Sequence, residues 1–181
     1  MLTYAGIGSR EITEKESILI QKLAKELSKK LVLFSGNATG ADENFQIGSE
    51  GKCVIFLPWA TFPREGKYDK TKSLAYFCLG DSPEGLAAID AVPSIHENPS
   101  ALNTWGKRAC VARDYHQIYG YKEFPKVSFV VYCANEKDGK VEGGTRFAVK
   151  LARKENIPTV NLRACNWKET LYTIVKGIKY V

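Results

Sequence analysis

Five short runs of almost wholly apolar residues recur along the chain, with helical segments between them. They are LTYAGI (residues 2–7), LVLFSG (31–36), CVIFLPW (53–59), KVSFVVYCA (126–134) and PTVNL (158–162). A strand apolar on both sides has to be covered on both faces, and strands separated by helices join in parallel. The spacing therefore predicts an α/β chain: a single Rossmann-like domain over residues 1–181, with a mainly parallel sheet covered by helices on both faces.

The intervening segments support this. Residues 13–30 carry Ile18, Leu19, Leu23 and Leu27 at helical spacing, and Thr13 with Glu16 makes a capping-box pattern. GADENFQIGSEG reads as a short helix closed by Gly51. TWGKRACVARDYHQIY (104–119) reads as a helix stopped by Gly120, and TRFAVKLARKENI (145–157) as another. NWKETLYTIVKGIKYV (166–181) reads as a closing helix with Leu171, Ile174, Val175 and Ile178 on one face. The middle departs from the rhythm and reads as an insertion around residues 60–120. Within it, KSLAYFCLG reads as a helical patch in a surface excursion, Ser82 caps a helix with Pro83 in its first turn, and residues 93–103 read as loop. NEKDGKVEGG (135–144) also reads as loop.

Hydrophobic residues make up 44% of the 181, so a sizeable core needs no disulfide or metal. The five cysteines, Cys53, Cys78, Cys110, Cys133 and Cys165, show no C-x-x-C or zinc-like spacing, and the reading is a reduced, cytoplasmic protein. MLTYAGIGSR has neither the basic nor the long apolar region of a signal peptide, and no run approaches the length of a membrane span. His96 and His116 have no partner at metal-ligand spacing, so no metal is expected, and no motif calls for a bound cofactor. The 26 Lys and Arg against 20 Asp and Glu, a net charge of +6, favour an anionic partner such as a nucleotide or nucleic acid.

In open α/β sheets ligands bind beyond the carboxyl ends of the strands. Three strand-to-helix turns here are rich in small residues: AGIGSRE, SGNATGAD and VEGGTRF. Glycine lets a ligand approach the main chain, and a helix start offers N–H groups to an anion. The candidate phosphate ligands are Gly8, Ser9 and Arg10; Ser35, Gly36, Ala38, Thr39 and Gly40; and Gly143, Gly144, Thr145 and Arg146. Asp42 either contacts a ribose hydroxyl or fixes its own turn. GIGSRE lacks the third glycine of G-x-G-x-x-G, and GNATGAD lacks the Lys of a P-loop, which argues against ordinary nucleoside triphosphatase chemistry. Trp59, at a strand end beside Pro58, is the aromatic chosen for stacking on a base. Arg113, on the 104–119 helix, is a candidate for the rim, whereas Lys107 reads as solvated.

The order GIGSRE, SGNATGAD, EGGT, together with FLPW (56–59), ARDYHQIYG (112–120) and IPTVNL (157–162), resembles the SLOG superfamily, which includes the Rossmann-like domain of DNA-processing protein A and the Lonely Guy phosphoribohydrolases. The nearest resemblance is to its small stand-alone branch, labelled DprA-like or YspA/YpsA-like. It implies that Gly8, Ser9 and Arg10, with Ser35, Gly36, Ala38, Gly40 and Asp42, line a basic pocket of the kind that holds single-stranded DNA, and that Gly143, Gly144 and Thr145 match a nucleoside-monophosphate turn. The catalytic Glu of the Lonely Guy enzymes is replaced by Ala148, leaving Glu142 as the catalytic candidate and tilting the reading from cleavage to binding. The resulting expectation is a nucleotide or nucleotide-derived ligand held in a three-turn phosphate cleft, to sense or sequester a signalling nucleotide. Single-stranded DNA binding and nucleotide N-glycosidic hydrolysis are the alternatives. The resemblance also implies pairing into a homo-oligomer; no membrane partner is expected.

Overall fold

A computed structural model describes residues 1–63, 66 and 68–178. Six parallel strands form one sheet: β1 (Thr3–Gly8), β2 (Val32–Ser35), β3 (Cys53–Leu57), β4 (Ala75–Cys78), β5 (Phe129–Cys133) and β8 (Thr159–Asn161), in the order β4-β3-β2-β1-β5-β8. The chain steps outward from β1 on one side through β2, β3 and β4, then returns to lay β5 against the other side of β1. The strand order therefore reverses between β1 and β5, where a crevice opens at the carboxyl ends.

Alternation along each strand divides the core. Tyr4, Leu33, Ile55 and Phe129 face α1 (Glu14–Ser28), α2 (Ala41–Gly48) and α6 (Trp167–Gly177). Their neighbours Ala5, Phe34, Phe56 and Val130 pack with Ile118 of α4 (Trp105–Tyr119) and with Ala148, Val149 and Ala152 of α5 (Thr145–Lys154). Both faces are buried, which is why the strands read as unbroken apolar runs. α3 (Pro83–Ile95) forms an outer cluster on α4 through Leu79, Ile89, Val92 and Ala109.

The local signals behave as their chemistry dictates. Thr13 accepts from the Glu16 amide while the Glu16 carboxylate takes the Thr13 amide at 2.7 Å, closing the capping box of α1. Ser82 caps α3 with Pro83 in its first turn.

The structure differs from expectation in three places. The predicted helical patch at KSLAYFCLG is instead β4, a parallel edge strand paired with β3 from Ala75 to Cys78. Its residues are only half covered and short 3-10 turns bound it, so it lacks the buried apolar signature of the other strands. α3 runs to Ile95 with Pro93 inside it, three residues into the predicted loop. The loop at 135–144 contains a small antiparallel pair, β6 (Glu136–Lys137) and β7 (Lys140–Val141). The region read as an insertion thus carries an edge strand and two covering helices. The closing helix is predicted to reach Val181; residues 179–181 lie outside the described ones. Among the described residues no helix is long and apolar enough to cross a membrane.

Candidate ligand cleft

A cleft of about 840 Å³ opens at the reversal point, within the size range of small-ligand sites. Ile7, Gly8, Ser9 and Arg10 from the end of β1 form one wall, and Ala134 and Asn135, just past β5, form another. Gly8 is required for this approach, since a Cβ there would lie 2.4 Å from the Cys133 carbonyl oxygen. The Ser9 amide donates to that same oxygen at 2.8 Å.

The sequence-predicted residues divide into two groups. Gly8, Ser9, Arg10, Ala38, Asp42, Trp59, Arg113, Glu142, Gly143, Gly144 and Thr145 all line the cleft, gathered from five separate parts of the chain. Ser35, Gly36, Thr39, Gly40 and Arg146 are not in its lining. The buried Ser35 hydroxyl donates instead to the Gly6 carbonyl at 2.8 Å, tying β2 to β1. With the Gln117 amide oriented to present its oxygen, the Gly36 amide donates to it at 2.6 Å, and the Gly36 carbonyl accepts from Arg113 at 3.4 Å. Gly40 has φ +85° and presses against the Ser9 and Arg10 carbonyls, where a Cβ would come within 2.5 Å.

The middle turn is therefore largely used up by the fold. Asp42 accepts from the amides of Gly8 and Ala38 at 3.2 and 3.4 Å, and the Ala41 amide donates to the Ser9 carbonyl at 3.0 Å. Of the two roles open for Asp42, turn fixation is the one its hydrogen bonds display. The third turn is different. Gly143 and Gly144 are exposed at the start of α5, with open space where their Cβ atoms would be. That helix start, with its partial positive charge, faces the cleft.

Charge at the base of the cleft is organised around Arg113. Its guanidinium contacts Asp114 at 2.7 Å and lies 5.3 Å above the Phe62 ring. Burial works against the Arg113 charge, but Asp114 and Asp42 more than offset it and hold the pKa above its ordinary value. Burial raises Asp42 to about 6, with Arg113 opposing the rise. Burial likewise raises Asp114. The cleft lining as a whole is balanced: Arg10, Lys107, Arg113 and Arg163 face Glu11, Asp42, Asp114 and Glu142.

Trp59 stands in the wall, edge-on to Phe62 at 5.2 Å and tilted against Trp105 at 6.0 Å. Ala148 presents a methyl group to the cleft, so the one carboxylate of the third turn is that of the exposed Glu142.

Sequence reasoning missed Arg163. Arg163 follows β8 and binds Glu16 at 2.7 Å, Asn135 at 2.7 Å and the Glu11 carbonyl at 3.0 Å. Its Glu16 partner lies 147 residues away, and no local pattern announces such a contact. Lys107, read as solvated, is exposed but reaches the lining. Among the described residues no group of three or more His, Cys, Asp or Glu is placed to hold a metal ion.

No family model matches the chain, and no curated protein matches it. Solved structures do. DNA processing protein A from Helicobacter pylori, described for its single-stranded DNA binding mode, is 15% identical, with a TM-score of 0.53 over 97% of this chain and 72% of that one. DNA processing protein A from Streptococcus pneumoniae is 14% identical, with a TM-score of 0.51 over 99% of this chain. This chain spans 58% of the length of the Streptococcus protein. At these identities the likeness establishes the fold.

Proposed function

We propose that this protein binds single-stranded DNA, with one nucleotide seated in the cleft at the β1–β5 reversal. The observation that carries this reading is the convergence of Arg10, Lys107, Arg163 and the start of α5 on a single space walled by Trp59. The phosphate meets the Gly144–Thr145 end of α5 and Arg10, and the base lies towards Trp59. The net charge of +6 and the DNA-processing-protein fold support this over the free-nucleotide expectation.

The test is fluorescence anisotropy with single-stranded oligodeoxynucleotides of increasing length. Affinity is expected to rise with length and to fall steeply between about 50 and 200 mM salt. Arg10→Ala and Gly144→Leu should each weaken binding about tenfold.

One observation favours a second reading. Four carboxylates offset four cations in the lining, which suits a single small nucleotide better than a continuous polyanion track. A mononucleotide that saturates the protein as tightly as any oligomer, with little salt dependence, would establish that reading and overturn the first.

A further inference from the structure

Beyond Arg163 a second recess of about 520 Å³ opens over the ends of β5 and β8. It shares Asn135, Glu142 and Arg163 with the main cleft, so the two spaces adjoin at these three residues. Glu136, Asn161 and Ala164 complete its wall.

The chemistry of this recess differs from that of the cleft. It has two carboxylates and two amides against one guanidinium, which disfavours an anion and suits a neutral ligand bearing N–H donors. Glu136 is already engaged, accepting from the Tyr132 hydroxyl at 2.6 Å, Arg153 at 2.8 Å and Asn161 at 3.4 Å. Glu142 stands exposed where the two spaces meet. Arg163 is held on three sides by Glu16, Asn135 and the Glu11 carbonyl, so its charge is fixed in place between the recesses.

We propose that this recess seats the base of the nucleotide adjoining the one in the main cleft, and that Glu142 accepts hydrogen bonds from an exocyclic amino group of that base. The linking phosphodiester crosses at Arg163. This inference rests on the single-stranded DNA reading. It assigns a base preference, because adenine and cytosine offer an amino group where thymine offers a carbonyl oxygen.

The experiment measures the affinity of equal-length homo-oligomers of deoxyadenylate, deoxycytidylate and thymidylate, with thymidine monophosphate as the probe of the main cleft alone. The wild type should hold the adenylate and cytidylate oligomers about tenfold more tightly than thymidylate, as expected for one charge-assisted hydrogen bond. Glu142→Ala, at an exposed position, should erase that difference. Ala164→Phe, which fills only the second recess, should weaken all oligomers and leave thymidine monophosphate binding unchanged. Equal wild-type affinity for the three oligomers overturns the inference, as does a Glu142→Ala protein that keeps the difference. A folded Ala164→Phe protein that binds every oligomer like the wild type also overturns it, while the DNA reading stands. A wild type that binds no oligomer overturns the DNA reading beneath it.

Discussion

The Asp42 carboxylate accepts the Gly8 amide at 3.2 Å, so a side chain at the opening of α2 closes the turn that ends β1, 34 residues earlier. Its other oxygen accepts the Ala38 amide. One buried group thereby holds two of the three cleft turns together. Asp42→Ala would leave two inward amides without an acceptor and Arg113 with one carboxylate fewer. The expected loss is about 2–3 kcal/mol of stability, read as a lower urea midpoint with an unchanged slope.

Two carboxylates give the stability a distinctive pH profile. Asp42 titrates at about 6 in the folded chain against an ordinary 3.8, so the folded state holds its proton longer than the unfolded state does. Its contribution is greatest below 3.8 and is lost as pH rises towards 6, by an amount on the order of 3 kcal/mol. Glu16 runs the other way: the Arg163 hydrogen bond lowers it from 4.5 to about 2, so its contribution is present above 4.5 and lost as pH falls. The two contributions therefore have opposite slopes, Glu16 favouring stability as pH rises from acid and Asp42 opposing it as pH rises further. Urea melts of Asp42→Asn from pH 4 to 6 should show a shallower downward slope than the wild type, with the raised Asp114 supplying what remains.

Gly40 and Gly144 should part company when substituted. The sequence alone makes Gly40 a candidate phosphate ligand, which would place the cost of substitution in binding. The structure assigns it a different cost, because φ is +85° and the Ser9 and Arg10 carbonyls occupy the space. Gly40→Ala should lower stability by about 1–3 kcal/mol, visible as a fall of several degrees in Tm. Gly144 has ordinary helical angles and open surroundings, so Gly144→Ala should change stability by less than about 0.5 kcal/mol. An equal Tm loss in both variants would contradict this account.

The Arg163–Glu16 pair joins the start of α1 to the chain after β8. Both side chains are partly exposed, so a double-mutant cycle with Arg163→Met and Glu16→Gln should give a coupling of about 1 kcal/mol or less. The same variants should reduce the loss of stability on acidification, leaving the part that Glu136 contributes. A coupling indistinguishable from zero would leave Arg163 with a role in the cleft alone.

Features that rest on neighbours in sequence were legible. The Thr13–Glu16 box, the Ser82–Pro83 start of α3 and the doubly buried strands are all coded within a few residues, because capping and periodicity act over one or two turns. β4 was not, because an edge strand covered on few sides needs only four weakly patterned residues. Arg163 was not, because an ion pair across 147 residues leaves no periodic trace.

The sequence by itself determined a parallel α/β sheet and the small-residue turns at its strand ends, since backbone freedom and apolar alternation are local properties. Only the tertiary structure decided which turns face open space. Packing β5 on the far side of β1 put Gly8 and Asn135 on one crevice and left the start of α5 open to it. The same packing drove Ser35, Gly36 and Gly40 against backbone and side chains, where their small size serves close approach. A glycine's lack of a side chain is written in the chain, but what comes to occupy the vacant space depends on elements far away in sequence.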